Sequence, residues 1–302
     1  MKSQKKKKKI SGFKIVLHLF FILMCACFVI PLMLVVSASF TSEEWLVNGK
    51  GYSLFPKDFT TQAYQSAFAN VERMIRAYAV TIAQAVLGTV SCCTVAGMAA
   101  YPLSRTNFRF KKPVTIYIFF TMLFSAGMIP NYLVFSKYYG IGNTFWIYIL
   151  PWLTGGAWNT MVFRTFFKGI PESLFESAHL DGANELTIFF KIVVPLSTPV
   201  LATIGFMTLV AKWNDYSTSM IYIRDEKLYT LQFLLQRLMN EATFLKNLSQ
   251  LALGNVQIDT SNLPSETLKF ALCVVASAPM LAVFPFFQKY FSQGLTIGAV
   301  KG

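Results

Sequence analysis

Long apolar runs constrain this chain more than any other feature of its sequence. Five or six segments are apolar enough, and at about 20 residues each long enough, to cross about 30 Å of hydrocarbon. They lie near residues 14–38, 76–101, 113–135, 143–166, 196–221 and 267–288. Because 54% of the 302 residues are hydrophobic, a soluble domain does not fit this composition. We predict an all-α integral membrane protein with about six transmembrane helices.

The segment 76–101 is the most polar of these candidate spans. It carries Thr81 and Gln84, together with small residues such as Gly88 and Ala96. Small residues let membrane helices approach each other closely. We therefore predict that this helix packs inside a bundle instead of facing lipid.

The distribution of lysine and arginine predicts the orientation of the chain. Basic residues cluster before the first span, between the second and third, between the fourth and fifth, and after the sixth, and such clusters mark the cytoplasmic side. We therefore expect both termini in the cytoplasm. The expected domains are a basic cytoplasmic N-terminus (1–13), a transmembrane domain (14–288) and a cytoplasmic C-terminal tail (289–302).

The basic N-terminus admits two other interpretations. A basic stretch before an apolar segment that ends in Ser37, Ala38 and Ser39 also fits a cleavable signal peptide. The length of that apolar segment and the further spans favour an uncleaved first span. The net charge of +13 is explained largely by topology and by attraction to anionic lipid headgroups, so we expect a lipid bilayer and no nucleic acid as partner.

A polar segment after the fourth span carries strong helix signals. Pro171 suits the first turn of a helix, Glu172 places negative charge near its N-terminus, and Gly182 can take the left-handed conformation that ends it. Asn184 is a candidate N-cap for a second helix, which Pro195 would end or kink. The segment 170–195 is thus predicted to form a cytoplasmic helical hairpin.

The first helix of this hairpin is predicted to be amphipathic. Leu174, Phe175, Ala178 and Leu180 fall near helical spacing beside acidic residues. We expect this apolar stripe to enter the groove of a partner protein while the other face stays in water.

The same residues carry a resemblance to a known motif. A Glu and small residues are followed by Gly six positions after the Glu, by Ile ten positions after the Gly, and by a hydrophobic residue and Pro. The matching residues are Glu176, Ser177, Ala178, Gly182, Ile192, Val194 and Pro195. This pattern resembles the EAA loop of ABC importer permeases, which supplies a coupling helix that sits in a cleft of the ATP-hydrolysing subunit. Ser177 and Val194 depart from the usual Ala and Leu by small changes in volume.

The resemblance implies which residues meet the ATPase. In the docking loop they are Glu176, Ser177, Ala178, Asp181, Gly182, Ile192 and Pro195. The C-terminal residues 288–302 resemble the tail of maltose-type sugar permeases, in which a Gly-rich end reaches between two ATPase subunits. The implied contacts there are Gln293, Gly294, Gly298 and Lys301. The resemblance covers essentially the whole chain and is closest to the permeases for oligosaccharides or polysaccharide fragments, the lipoprotein and aldouronate-type branch.

The transport path is predicted from polar and aromatic residues in or near the spans. Lys212 and Asp215 interrupt the fifth span, and ionisable residues at membrane depth face a cavity or pair with one another. Aromatic rings can stack on the apolar faces of sugar rings, although an interfacial aromatic belt also explains many of them. The solute-path candidates are Asn131, Tyr132, Trp158, Asn159, Trp213, Asn214, Asp215 and Tyr216.

The resemblance implies a permease subunit of an ATP-driven importer in the plasma membrane of a bacterium, with a sugar as its substrate. The implied partners are a second permease in a heterodimer, two copies of a cytoplasmic ATPase and an extracellular solute-binding protein. The chain has no G-x-x-x-x-G-K-[ST] run, so we expect no catalysis and no cofactor here, with ATP and Mg²⁺ bound by the ATPase subunits. Its five Cys and two His predict neither a disulfide framework nor a metal site.

Other functions remain open at this stage. They are an ion-coupled secondary transporter, an importer permease for a solute that is not a sugar, and a polytopic membrane enzyme. A symporter needs ionisable groups at midspan, and the spans hold almost none beyond Lys212 and Asp215. A membrane enzyme needs a catalytic constellation, and two separated histidines do not supply one.

Overall fold

The computed structural model describes residues 12–47, 51–251 and 266–299, and the regular elements in these ranges are helical. In chain order the helices are α1 (Gly12–Ser39), α2 (Glu43–Val47), α3 (Gln62–Ala67), α4 (Val71–Ser104), α5 (Lys111–Leu123), α6 (Met128–Tyr132), α7 (Ala157–Phe167), α8 (Glu172–Leu180), α9 (Glu185–Ile188), α10 (Val194–Leu196), α11 (Thr198–Trp213), α12 (Ser217–Tyr222), α13 (Leu231–Leu251) and α14 (Glu266–Ala299). The chain folds as two compact units, residues 1–69 with 239–277 and residues 70–238 with 278–302.

The first unit contains α1 to α3 and parts of α13 and α14. Its α1 is an apolar helix whose most apolar 18-residue stretch contains no buried residue, as expected of a helix that borders on hydrocarbon. The carboxylate of Glu43 accepts hydrogen bonds from the backbone N–H groups of Glu266 at 3.1 Å and Thr267 at 3.2 Å. A negative charge is favourable at this end of α14 because the helix dipole is positive there.

Several of the helices are long and apolar enough to cross a membrane. The continuous ones are α1, α4 and the part of α14 from Glu266 to Tyr290. Two further spans arise if bent pairs are counted: Lys111–Leu123 with Met128–Tyr138, bent by 110°, and Glu185–Leu196 with Thr198–Trp213, bent by 81°. The all-α membrane fold predicted from the sequence is confirmed, with three to five such spans among the described residues.

The predicted span 143–166 is not one helix. It consists of 3-10 turns at Phe145–Tyr148 and Leu150–Thr154, followed by α7. Gly155 and Gly156 separate these parts with φ of +72° and +73°, a left-handed conformation that ends a helix. A Cβ atom on Gly155 would lie 2.7 Å from the backbone nitrogen of Ala96, so this break also lets the chain pass close against α4.

The second unit is built around α4, which packs along α11 and α7. Small side chains such as Ala85, Ala96 and Ala100 are buried at these contacts. The polar residues Thr81 and Gln84 are also fully buried. The prediction that this helix packs inside a bundle is therefore confirmed.

Candidate functional site: a docking hairpin and a buried lysine

The hairpin predicted from the sequence is present in the structure. Its first leg, α8, begins at Glu172 after an extended Pro171 and ends at Leu180, and Gly182 in the turn that follows has a φ of +77°. The backbone N–H of Ala183 donates to the carbonyl of Ala178 at 2.9 Å, which closes the helix end. Glycine suits Gly182 because most other residues, Asn and Asp excepted, take this conformation only with strain.

The second leg begins with a side-chain cap. Oδ1 of Asn184 accepts a hydrogen bond from the backbone N–H of Thr187 at 2.8 Å, as the sequence predicted. The helix then widens into a π turn over Phe189–Val193 and ends at Leu196. A widened turn suits this place because Pro195 lacks the N–H that a regular turn would use. The break at Ser197 separates the hairpin from α11.

The inner face of the hairpin packs on the chain's own core. Phe175, Ile188 and Val193 are almost completely buried, together with Tyr101 of α4 and Phe163 of α7. This burial corrects the predicted partner-facing stripe, because its members Phe175 and Ala178 point inward. Only Leu174 and Leu180 of that stripe are exposed, and Leu180 at the tip is 89% exposed.

The outer face carries most of the predicted ATPase-docking residues. Glu176, Ser177, Asp181, Gly182 and Pro195 are exposed. Ile192 is half-buried and Ala178 is buried, so both contribute more to the packing of the hairpin than to its exposed surface. Glu176, Ser177 and Asp181 give the end of the first leg a polar surface, and its role in docking stays a prediction.

Side chains of α4 reach both legs of the hairpin. The guanidinium of Arg105 donates to both carboxylate oxygens of Glu172, at 2.7 and 3.2 Å, and lies 3.6 Å above the centre of the Phe175 ring. One turn earlier, the hydroxyl of Tyr101 donates to Glu185. In the sequence, Arg105 belongs to the basic cluster between the second and third predicted spans, and no motif pointed to Tyr101. The spacing of Tyr101 and Arg105, four residues apart at the end of a predicted helix, is the sequence signal that could have identified them as a pair.

Positive charge surrounds this end of α4. Nε of Arg164 donates to the carbonyl of Leu103 at 3.1 Å, and Nζ of Lys111 donates to the carbonyl of Arg105 at 2.8 Å. The nearby charge of Arg164 is the main reason that the pKa of Lys168 is lowered, with smaller effects of burial and of Lys111. These cations fit a surface that faces acidic groups or anionic lipid headgroups.

A fully buried lysine lies near the C-terminal end of α11, the end that is farther from the hairpin. Nζ of Lys212 donates to the backbone carbonyl of Tyr148 at 2.8 Å and lies 4.0 Å from the centre of the Trp152 ring. Gly88 of α4 provides the space, since a Cβ atom there would lie 3.1 Å from Cε of Lys212. Nε2 of Gln84 donates to the carbonyl of Lys212 at 2.8 Å. A carbonyl and an aromatic face thus stabilise the ammonium.

Asp215 has a different role from the pairing with Lys212 that the sequence suggested. Its carboxylate accepts hydrogen bonds from the backbone N–H of Thr218 at 3.0 Å and from the hydroxyls of Ser217 at 2.9 Å and Thr218 at 2.6 Å. These contacts cap α12. On either side of the break after Trp213, the end of one helix and the start of the next therefore have hydrogen-bond partners within a few residues.

The other solute-path candidates fall in separate environments. Trp213 is 3% exposed, Asn214 is exposed and donates to the carbonyl of Val210 at 2.9 Å, and Tyr216 is 46% exposed. Asn159 donates to the carbonyl of Gly155 and to Sγ of Cys92, both at 3.3 Å. These contacts do not identify a solute path, which stays a prediction.

The remaining candidates lie nearer the surface. Asn131 is exposed, and the ring of Tyr132 stacks on that of Tyr222 with a centroid distance of 5.8 Å. Trp158 lines an open apolar groove of about 490 Å³ together with Phe119 and Met122.

The predicted tail contacts are only partly covered by the structure. Gln293, Gly294 and Gly298 lie in α14, whose backbone continues through Ala299. Lys301 lies outside the described residues. In the described part of the chain, no group of three or more His, Cys, Asp or Glu side chains is arranged to hold a metal ion.

Fold and site together define a class of protein, a multispan helical membrane protein with an exposed polar hairpin. The family model described as the inner membrane component of binding-protein-dependent transport systems matches residues 93–297, and the chain belongs to this family. The identification as an ABC importer permease, made from the sequence, is thereby confirmed, and so is the placement of the chain in a membrane.

Relatives match the chain over nearly its whole length. It is 38% identical to the polygalacturonan/rhamnogalacturonan transport system permease protein YtcP of Bacillus subtilis over 285 residues, which cover 94% of this chain and 95% of the relative. It is 35% identical to protein LplC of the same organism over 274 residues, 91% of this chain and 90% of that protein. Among solved structures, it resembles a chain of a bacterial ABC transporter involved in the import of the acidic polysaccharide alginate, with a TM-score of 0.76, 30% identity and coverage of 92% and 96%.

Proposed function

We propose that the chain is the permease subunit of an importer that carries acidic sugar oligomers, such as fragments of a polyuronate, into a bacterial cell. The observation that carries this proposal is its near full-length similarity to a permease for polygalacturonan/rhamnogalacturonan, at 38% identity. The similarity to a chain of an importer of the acidic polysaccharide alginate supports the same substrate class.

The docking hairpin supports a division of labour between this chain and an ATPase. The sequence contains no phosphate-binding loop, and the exposed outer face around Gly182 presents Glu176, Ser177 and Asp181 for a partner. ATP and Mg²⁺ are then bound by two copies of a cytoplasmic ATPase. This chain binds no cofactor of its own, and we expect its C-terminal tail to contact the ATPase pair.

The proposed assembly also needs a second permease and an extracellular binding protein. A pseudo-two-fold pair of permeases gives each ATPase one hairpin, and we favour a heterodimer. Both termini and the hairpin then lie in the cytoplasm. ATP-driven closure of the ATPases pushes on the hairpins and turns the spans from an inward-facing to an outward-facing arrangement, into which the binding protein releases the sugar.

Uptake by cells that lack this chain tests the proposal. Labelled oligogalacturonides and labelled arabino-oligosaccharides are offered to wild-type and deletion cells and to deletion cells that carry the gene on a plasmid. We expect only oligogalacturonide uptake to be lost and then restored, and we expect a proton ionophore to leave it intact while ATP is maintained. Loss of only the neutral sugar would instead favour the function named for a relative that is 25% identical, an arabinooligosaccharide permease.

The proposed partners are tested separately. The tagged chain is purified in detergent from native membranes, and the proteins that accompany it are identified by mass spectrometry. We expect a second permease and an ATPase. Recovery of the chain alone, still able to move solute in liposomes, would contradict the division of labour and favour a secondary transporter.

A further inference from the structure

We propose that Tyr101 and Arg105 are positioning residues that clamp the docking hairpin to α4, so that the hairpin and α4 move as one rigid element. This inference rests on the proposed function, because it assigns the route by which a push on the hairpin reaches the membrane.

The clamp holds the first residue of each leg of the hairpin. Arg105, which follows the last residue of α4, makes a two-point ion pair with Glu172, the first residue of α8. Tyr101 donates to Glu185, the first residue of α9. Tyr101 lies in the last turn of α4 and Arg105 is the residue that follows its end, so both side chains project from the same end of this helix. One attachment would allow rotation about it, whereas two attachments on different legs define an orientation.

A contact within the hairpin completes this arrangement. Nε2 of His179, near the end of the first leg, lies 3.5 Å from Oε1 of Glu185 at the start of the second. The two legs are thus joined across the Gly182 turn as well as through it. Because the carboxylates are 46% and 64% exposed, water screens these contacts and they contribute little stability. Buried residues such as Phe175 hold the hairpin in place, and the polar contacts fix its direction.

The covalent connections of the hairpin are poor transmitters of movement. Before it, residues 168–171 join α7 to α8 without a regular helix. After it, the chain breaks at Ser197 with a bend of 81° into α11. Non-helical joints of this kind absorb changes of backbone angle and act as hinges. Side-chain contacts are therefore the direct route from the hairpin to α4: the buried packing of Phe175 and Phe189 against Tyr101 carries the load, and the clamp fixes its direction.

The helix that receives the movement leads to the buried lysine. α4 is continuous from Val71 to Ser104, and Gln84 lies about 25 Å from Tyr101 along its axis at 1.5 Å per residue. Gln84 and Gly88 contact Lys212 at the end of α11. Tilting α4 at the hairpin end therefore displaces the surroundings of Lys212, in the segment where the solute-path candidates Trp213 and Asp215 lie.

Two variants weaken the polar contacts of the clamp with little change in shape. Tyr101→Phe keeps the ring in the core and removes the hydroxyl, and Glu172→Gln removes the charge that Arg105 holds. The matched control is Glu72→Gln, which breaks the exposed ion pair of Glu72 with Arg76 at the other end of α4. In proteoliposomes that contain the full complex, we expect the double variant Tyr101→Phe/Glu172→Gln to lower the sugar transported per ATP hydrolysed by about 3-fold or more.

In the same preparations, ATPase binding and the rate of ATP hydrolysis show whether a variant has lost folding or docking. We expect the ATPase to stay bound and ATP hydrolysis to continue in the double variant, and Glu72→Gln to behave as wild type. Exchange of the charges, Arg105→Glu with Glu172→Arg, should transport more sugar per ATP than Arg105→Glu alone. An unchanged ratio in the double variant, loss of the ATPase from it, or no rescue by the exchange would each overturn the proposal.

A distance measurement tests the clamp without any solute. Spin labels at Leu180→Cys and Ile75→Cys, both exposed positions, report the distance from the hairpin tip to the far end of α4 in the otherwise cysteine-free full-length chain in lipid nanodiscs. We expect one narrow distribution that broadens in Tyr101→Phe/Glu172→Gln. The same width in both would overturn the rigid clamp, whereas failure of wild-type complexes to hold an ATPase would overturn the proposed function alone.

Discussion

The ammonium of Lys212 and the carbonyl of Tyr148 are joined by a 2.8 Å hydrogen bond at a place in the chain where both residues are fully buried. A buried charge is expensive unless it is well partnered. The Trp152 ring supplies a second partner through its face, 4.0 Å from Nζ. Lys212 thus ties the end of α11 to the turns at 145–154.

Truncation of this lysine should destabilise the protein. We expect Lys212→Ala to lower the free energy of unfolding by about 2–5 kcal/mol, because it leaves a cavity beside Gly88 and an unpaired carbonyl on Tyr148. Lys212→Met fills most of the space and should cost less, about 1–3 kcal/mol. Thermal unfolding in detergent measures both. An Ala variant as stable as wild type would contradict this assignment.

A buried hydroxyl next to this contact should also matter. Oγ of Ser219 bonds to the hydroxyl of Tyr148 at 2.7 Å and to that of Thr230 at 2.8 Å, and it accepts from the backbone N–H of Thr230 at 3.2 Å. We expect Ser219→Ala to cost about 1–3 kcal/mol, because it leaves that N–H without its partner. Ser217→Ala, at an exposed position, is the matched control and should cost less. Equal melting temperatures for the Ser219→Ala and Ser217→Ala variants would contradict this prediction.

The close approach of Gly155 to α4 gives a second matched pair. Gly155 and Gly140 both have positive φ, +72° and +64°, so alanine at either costs about 1–2 kcal/mol in backbone strain. At Gly155 the new Cβ would also meet the backbone of Ala96 at 2.7 Å, whereas at Gly140 nothing lies within 4 Å. We expect Gly155→Ala to reduce the yield of folded protein strongly and Gly140→Ala to be tolerated. Size-exclusion chromatography of the two variants measures this difference.

Local signals in the sequence predicted much of the hairpin correctly. The turn at Gly182 and the cap at Asn184 depend on neighbours within a few residues, and both are confirmed. The direction of Phe175 was wrong because helical spacing shows which residues share a face, and it does not show whether that face meets a partner or the chain's own core. The partners of Lys212 and Arg105 lie 64 and 67 residues away, beyond the reach of local patterns.

The span 143–166 shows a different limit. Hydropathy over a window of about 20 residues registers apolar content and does not register a change of backbone direction. Pro151 and the left-handed Gly155 and Gly156 convert this apolar stretch into short turns and one helix. A pair of glycines inside a candidate span was the available warning.

The predicted orientation places the hairpin tip in the cytoplasm. Leu180, at 89% exposure, is a suitable position for a reporter cysteine, and Phe55, at 72% in the loop after the first span, is its counterpart on the predicted outer side. In a cysteine-free background, a membrane-impermeant thiol reagent should label Phe55→Cys in intact cells and Leu180→Cys only in inverted vesicles. Labelling of Leu180→Cys in intact cells would reverse the orientation and rule out docking by a cytoplasmic ATPase.

The Gly182 turn should be sensitive to charge because it lies within the surface that we propose meets the ATPase. A Cβ atom there meets nothing within 4 Å in this chain, so a side chain would project toward the partner. Asn and Asp have nearly the same size and both tolerate the left-handed conformation. Gly182→Asp adds a negative charge beside Asp181 and should abolish ATP-driven uptake with membrane insertion intact, whereas Gly182→Asn should retain more uptake. The measurement is uptake by cells that carry either variant, normalised to the amount of chain in the membrane. Normal uptake with Gly182→Asp would show that this surface does not couple to an ATPase.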